Sequence, residues 1–245
     1  MLYIKIIIGI LIVVLVYSLY VFLVTKRVVK RSKVLQSSIQ PRDYEVTHTS
    51  GGSELKVLVT GDSSSVGVGG ASHKDSYHYQ FLIGQQQFKK IQVRNIAVSG
   101  AVAGDVINQI KLVNDNFDII FVSVGGNDIT KLTSKDVYTE NLRRIMSLAQ
   151  KKARSVVLIT PGDFISIRLP YPLRVYLSSR SKKVSGWSSE AIKDFNNVLH
   201  IDLYKLEGDF FKNSPETYYG RDGFHPSPLG YIEWARLLQQ KARGL

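Results

Sequence analysis

The chain of 245 residues contains no cysteine. That excludes a disulfide scaffold, a cysteine-ligated metal and a cysteine nucleophile. It does not choose a compartment, because a chain without thiols is indifferent to redox poise. Low-complexity tracts and repeats with a period of roughly 20 to 50 residues are also missing, which excludes solenoids and propellers. No histidine–carboxylate cluster has metal-ligand spacing, so neither a metal nor another cofactor is expected. The glycine-rich GVGGAS at 67–72 lacks the third glycine of G-x-G-x-x-G, and no G-K-[ST] occurs, which argues against a nucleotide-binding loop. Acidic residues are scarce, 20 against 32 Lys/Arg, for a net charge of +12. Residues 1–50 hold seven Lys/Arg and two acids, leaving +7 of that charge to the other 195 residues. This is a mildly basic domain behind a basic collar, without the dense stripe or module of a nucleic-acid binder, and no nucleic-acid partner is expected.

What the sequence does have begins with IIIGILIVVLVYSLYVFLV, residues 6–24, an uncharged run. At about 1.5 Å per residue it just spans a bilayer core of roughly 30 Å. A cleaved signal peptide is the rival. The run is longer than a usual signal core, no small-x-small cleavage site follows, and Thr25-Lys26-Arg27-Val28-Val29-Lys30-Arg31 reads as a stop-transfer pattern. Branched aliphatics on every face argue for lipid on every face. The expected organisation is a single-pass transmembrane anchor at 1–25, a basic collar and polar linker at 26–53, and a catalytic-sized domain at 54–245. The Lys/Arg excess on the C-terminal side keeps that domain in the cytoplasm by the positive-inside rule.

Five short apolar runs recur beyond the linker: LKVLVT (55–60), VRNIAV (93–98), DIIFVSV (118–124), SVVLIT (155–160) and VLHIDLY (198–204). Near-continuous apolarity is the pattern of strands buried on both faces. Helical patterns separate them. One starts near Asp105. Another follows Thr133 as a capping residue, with Asp136 three residues on. The last starts at Ser227 as N-cap with Pro228 in the first turn. The alternation predicts an α/β fold, a three-layer α/β/α sandwich around a central parallel five-stranded sheet, with ligands at the carboxyl ends of the strands.

Every chemically suggestive block falls at such an end. The first strand runs into Gly61-Asp62-Ser63, opening the stretch VTGDSSSVGVGG; the second into Asn95-Ile96-Ala97-Val98-Ser99-Gly100; the third into Gly125-Gly126-Asn127-Asp128. Asp222-Gly223-Phe224-His225-Pro226 precedes the last helix. A serine hydroxyl becomes a useful nucleophile when an imidazole takes its proton. His225 can do so, with Asp222 orienting the ring and stabilising its cation. Asn127 offers an amide N–H, and Ser63 and Gly100 backbone N–H groups, to a developing oxyanion. Ser64 and Ser65 read as helix-start and turn residues, and Asp62 as a brace for the loop through backbone N–H groups. Asn127 alone could equally be a turn residue. His48 (in the linker), His200 (in a strand), His73 and His78 read as bystanders.

Taken in order, these blocks resemble the SGNH (GDSL-type) hydrolase family over roughly residues 55–242. The resemblance implies a flavodoxin-like SGNH fold and a serine esterase that works through an acyl-enzyme. It makes Ser63 the nucleophile, His225 the base and Asp222 its partner, with Ser63, Gly100 and Asn127 as the oxyanion hole. The serine stands in GDS and not in G-x-S-x-G, unlike the α/β-hydrolase elbow. The substrates it implies are acyl-lipid, acetylated-carbohydrate or small-molecule esters, and the family's frequent work on exported material would set the domain outside the cell. A non-enzymatic, membrane-tethered binding or scaffolding protein on the same fold is the alternative, disfavoured because no catalytic position is replaced. Residues 164–189 interleave Arg168, Arg174, Arg180, Lys182 and Lys183 with apolar residues and no acid. They read either as a solvated loop and helix end or as a segment that touches anionic lipid headgroups.

Overall fold

The structure, a computed structural model, describes residues 2–242. The first residue of the expected anchor and the last three of the expected domain lie outside them. Helix α1 runs unbroken from Leu2 to Ser38. Its aliphatic residues up to Leu23 are exposed apart from the half-buried Val21, the surface a bilayer would cover. The collar does not end the helix, because residues 25–38 contain neither Gly nor Pro. Where it meets the domain, Leu35 packs on a small cluster of Ile39, Val66, Val68 and Ala97.

The expected linker is therefore corrected at both ends. Residues 26–38 are helix, and strand β1 (Tyr44–Thr47) joins the sheet. β1 pairs antiparallel with β3, Tyr44 opposite Val93 and Thr47 opposite Lys90. The pairing buries Val46 and covers a sheet edge that would otherwise present unpaired N–H and C=O groups. The globular unit thus begins well before residue 54.

Five parallel strands follow: β2 (Ser53–Gly61), β3 (Phe88–Asn95), β4 (Phe117–Ser123), β5 (Ala153–Thr160) and β6 (Val198–Asp202). The order across the sheet is β1-β3-β2-β4-β5-β6. The parallel part is the expected five-stranded sheet; β1 adds a sixth strand. β3 starts five residues earlier than the run 93–98, because in FKKIQVRN only Ile91, Val93 and Asn95 turn into the core. Past Asn95 the chain leaves the ladder, though Ile96 and Val98 still donate to the Val59 and Gly61 carbonyls.

The helices lie on both faces. α2 (Ser63–Val66), α3 (Tyr77–Leu82), α4 (Ala103–Lys111), α5 (Gly126–Thr130), α6 (Lys135–Gln150) and α7 (Tyr171–Ile192) come between strands. α8 (Leu203–Leu206), α9 (Phe210–Asn213), α10 (Pro215–Tyr218) and α11 (Pro228–Lys241) close the chain. Alternating residues feed two cores. Leu58, Ile120 and Leu158 point toward α4, α6 and α7; Val57, Val59, Phe121 and Val157 point toward α3 and α11. α11 starts as expected, Ser227 accepting from the Gly230 N–H and Pro228 in the first turn. For α6 the capping residue is Ser134, which accepts from the Val137 N–H, and not Thr133.

The basic segment 164–189 is mostly the long helix α7, whose Leu177, Ser181, Val184 and Ser188 are buried. Arg180 is corrected as a lipid contact. Its guanidinium turns inward, donating to the carbonyls of Ile129 (3.2 Å) and Thr133 (2.8 Å) and lying over Trp187.

The edge strand makes the boundary testable. A chain beginning at residue 39 keeps β1, whereas one beginning at residue 50 loses it. The shorter chain should melt roughly 5–10 °C lower, the shift expected for a loss of two or three kcal/mol in a domain of this size, and should aggregate through the uncovered edge of β3. Equal melting temperatures would mean that β1 contributes nothing to the unit.

Candidate active site

Strand β2 ends where it passes closest to β4. Gly61 sits at φ +130°, and a Cβ there would collide with the Ser123 carbonyl, so only glycine fits. The buried Gln109 of α4 clamps the same peptide. Its Nε2 donates to the Gly61 carbonyl (2.9 Å), and its Oε1 accepts from the Gly61 N–H (2.8 Å) and the Thr60 hydroxyl (2.5 Å).

The turn that follows separates the three serines by function. Asp62 caps α2, its Oδ1 accepting from the Ser64 N–H (3.0 Å) and hydroxyl (2.6 Å). Ser64 Oγ also lies 2.6 Å from Ser123 Oγ, and Ser65 Oγ donates to the Thr60 carbonyl (3.0 Å). Both serines are thus committed to holding the turn, as expected. Ser63 is left, and its Oγ stands 2.9 Å from His225 Nε2. Burial raises the Asp62 carboxyl above its usual range, against the pull of its Ser64 hydrogen bonds.

His225 comes from the loop between α10 and α11, a turn closed by the Gly220 N–H donating to the His225 carbonyl (2.7 Å). Its Nδ1 lies 2.6 Å from Asp222 Oδ2. The other oxygen of Asp222 accepts from the backbone N–H groups of Phe224 (3.0 Å) and His225 (3.1 Å). Burial pushes the Asp222 carboxyl up, but the His225 hydrogen bond and charge and those two N–H groups together outweigh it, and the net shift is downward. An ionised Asp222 assigns the proton to Nδ1 and leaves Nε2 to accept from Ser63.

Asn127 opens α5 beside this pair. Its Nδ2 donates one hydrogen to the Ala101 carbonyl (3.1 Å), which leaves the second for another acceptor. Gly100 precedes Ala101 in the turn after β3, with Lys131 Nζ donating to its carbonyl (2.8 Å). Ser63 and Asn127 line one pocket, whereas Gly100 is not on its wall. Among the described residues, neither the Ser63 N–H nor the Gly100 N–H is used in a loop or side-chain hydrogen bond.

The profile of the GDSL-like Lipase/Acylhydrolase family matches residues 59–231, a stretch that contains Ser63, Gly100, Asn127, Asp222 and His225. The chain belongs to this family. It is a serine hydrolase acting on ester bonds. Solved structures agree on the fold. A lipolytic protein of the G-D-S-L family from Veillonella parvula is 18% identical, with 78% of this chain and 99% of that one covered at a TM-score of 0.59. The lipase Lip_vut3 from a goat rumen metagenome is 20% identical, covering 78% and 98% at 0.58. A catalytic mutant of an acetylxylan esterase from Geobacillus stearothermophilus is 19% identical, covering 78% and 94% at 0.57. No functionally curated protein sequence matches significantly.

The other histidines of this GDSL-like enzyme do not reach Ser63. His78 is buried and donates from Nε2 to the Ser65 carbonyl (2.9 Å) while Tyr44 donates to its Nδ1 (2.8 Å), so it braces the nucleophile turn in neutral form. Burial pushes its imidazole down to about 4. His200 bonds Thr160, and burial lowers it to about 4 as well. His73 lies tilted beside Tyr44 and edge-on to Tyr79. His48 sits in no tether; its ring nitrogens lie near the Phe88 and Ile83 carbonyls. Within the described residues, no cluster of three metal-ligating side chains occurs.

The pocket beside Ser63 is walled mainly by apolar side chains, among them Ile159, Pro161, Phe164, Phe211 and Phe224. Glu207 also reaches its wall. Reading the sequence missed it, because an acid in YKLEGD between two apolar stretches reads as a surface residue. It is buried, with Oε1 accepting from Trp234 Nε1 (2.8 Å). Burial raises its carboxyl to about 8, against the Trp234 hydrogen bond and with help from the Asp163 charge.

A raised carboxyl has a definite sign in stability. Between about 4.5 and about 8 the folded protein holds a proton on Glu207 that the unfolded chain has released, so stability falls as pH rises through that window. Glu207→Gln keeps the shape and removes the titration. Urea melts from pH 5 to 9 should show a flatter alkaline decline for the variant than for the wild type. Parallel curves would mean that Glu207 titrates at its ordinary value.

Proposed function

We propose that this enzyme is a single-pass membrane-anchored esterase that cleaves short-chain carboxylic esters through Ser63, His225 and Asp222. The observation that carries the reading is the hydrogen-bonded chain from Ser63 Oγ to His225 Nε2 (2.9 Å) and from Nδ1 to Asp222 (2.6 Å). His225 takes the Ser63 proton as Oγ attacks the ester carbonyl carbon. The tetrahedral oxyanion is held by the Ser63 N–H, the Gly100 N–H and Asn127 Nδ2. Collapse breaks the C–O bond, and His225 returns its proton to the departing alcohol. Water, deprotonated by the same imidazole, then attacks the acyl-enzyme and releases the acid and Ser63.

The apolar wall of the pocket, with Ile159, Pro161, Phe164, Phe211 and Phe224, suits an acyl group. The acetylxylan esterase among the structural neighbours acts on acetyl esters, which supports a short one. Membrane attachment rests on α1, whose apolar stretch is long enough to cross a bilayer and is not buried in the domain. Lys182 and Lys183 remain exposed on α7 and available to anionic lipid, while Arg174 is half-buried with Nε unpartnered.

Four results test the assignment. The protein should hydrolyse aryl acetate faster than aryl octanoate and be labelled by a fluorophosphonate at Ser63. Folded protein inert in both assays would sink the reading. Ser63→Ala and His225→Ala should each cost several orders of magnitude in kcat, with the double variant little worse, because the two act as a unit; additive losses would separate them. Activity should decline on acidification, since a protonated imidazole cannot accept the serine proton. Asn127→Ala should lower kcat by about 10²–10³ with KM little changed. Asn127→Asp, which puts a negative charge beside the oxyanion, should fall further. Wild-type kcat in both folded variants would reduce Asn127 to a turn residue.

A further inference from the structure

A second cavity, wider than the pocket beside Ser63, opens beside the catalytic loop. It is a cleft of about 790 Å³ between α1 and the segment Tyr219–Asp222. On the α1 side its wall is Arg27, Lys30, Arg31, Val34 and Leu35. The spacing is i, i+3, i+4, i+7 and i+8, which is one face of a helix. Leu35 packs on the domain, so this cationic stripe faces the enzyme and not open solvent. Across the cleft stand Arg221 and Arg168. Arg168 is held there by the catalytic loop itself. Its N–H donates to the Gly223 carbonyl (2.9 Å), and its side chain lies so close over Gly223, at φ +68°, that a Cβ there would overlap it.

Five cations therefore face one cleft, against Glu216 and an Asp222 already engaged by His225. All five are exposed, and among the described residues none is within ion-pair distance of an acid. Like charges gathered in a concave wall repel one another and focus a positive potential, and a bound anion relieves both. Guanidinium groups from three elements suit the several oxygens of a phosphate. The cleft meets the catalytic pocket at Tyr219, which lines both.

We propose that this cleft binds a phosphate group on the alcohol side of the ester, so that the acyl group enters the small apolar pocket while the phosphate-bearing alcohol lies among Arg27, Lys30, Arg31, Arg168 and Arg221. Its catalytic meaning rests on the esterase reading above; the binding does not. The phosphate can belong to a bilayer lipid headgroup, since the collar begins where the apolar run ends, or to a soluble phosphorylated alcohol.

The test reads binding without turnover, in the full chain carrying Ser63→Ala, so that a failed esterase reading leaves it intact. In mixed micelles of phosphatidylglycerol and diacylglycerol in equal amounts, native mass spectrometry should find the phosphate-bearing lipid retained about tenfold over the uncharged one, the scale of losing one charge-assisted contact. Calorimetric titration with inorganic phosphate forms the second arm. Retention of the lipid alone assigns the site to a headgroup, and saturable phosphate binding assigns it to soluble phosphates; either supports the proposal. Arg31→Gln with Arg221→Gln should abolish whichever binding is seen, and Arg31→Lys with Arg221→Lys should restore much of it. Lys26→Gln with Lys33→Gln, which removes collar cations outside the cleft, should leave it intact. The proposal is overturned by the absence of both bindings, by survival in the Arg→Gln pair, or by equal loss in the Lys26/Lys33 pair, which would assign the attraction to the collar's general charge.

Discussion

Ser63 and His225 are 162 positions apart in the chain, yet their side chains meet at 2.9 Å. A hydrogen bond between such distant residues needs both backbones fixed to within a fraction of an ångström, and much of the surrounding structure serves that requirement. Gln109 holds the end of β2 with three hydrogen bonds, two to the Gly61 backbone and one to the Thr60 hydroxyl. Asn95 Nδ2 and His78 Nε2 both donate to the Ser65 carbonyl, from β3 and α3 respectively. Tyr231 of α11 reaches back to the Val68 carbonyl (2.7 Å), tying the helix behind His225 to the loop behind Ser63. The last of these crosses almost the same sequence distance as the catalytic pair. It holds in place what that pair needs aligned.

This arrangement gathers buried acids. Asp62, Asp128 and Glu207 are all raised by burial, Asp128 to about 6 with one carboxyl oxygen unpartnered. Only Asp222 is lowered, and only because it has an imidazole and two backbone N–H groups to serve. The difference shows how one environment sorts carboxyls. Those raised above their usual range lose negative charge more readily, while Asp222 keeps its own where an imidazolium must form. Outside the pocket the balance reverses, with unpaired cations on α1 and the catalytic loop. An anionic alcohol meets attraction at the rim, and Asp222 keeps its charge behind the imidazole that must become a cation.

The sequence carried the parts of this design that repeat a physical pattern. Parallel strands show as apolar runs, and α11 shows as Ser227-Pro228 before an amphipathic stretch. GDS, GGND and DGFH stand at strand ends or before the last helix, where the folded sheet brings them together. What it hid was set by tertiary context. β1 is four residues whose only buried side chain is Val46, too short to carry a period. β3 starts earlier than the apolar run because Lys90, Gln92 and Arg94 dilute its apolarity on the face opposite Ile91 and Val93. Arg180 looked like its basic neighbours, and only the fold shows that its guanidinium is spent on carbonyls of the segment around α5. Glu207 was hidden for the opposite reason, a charged residue buried where composition predicts exposure.

The continuity of α1 changes what membrane attachment would mean. A flexible linker of the length expected at 26–53 would let the domain wander over a span of about 30 Å, the root-mean-square reach of such a coil. A helix through Ser38 whose Leu35 is seated on the domain does not allow this. The thirteen residues from Lys26 to Ser38 rise about 20 Å at 1.5 Å each, and Arg27, Lys30 and Arg31 lie in the first half of that rise. With residues 6–24 in a bilayer, these cations stand at headgroup height and the catalytic loop stands just above them. Attachment of this kind sets orientation as well as proximity. It would present the active site to esters at the membrane surface from one fixed side, an advantage that a substrate free in solution would not share.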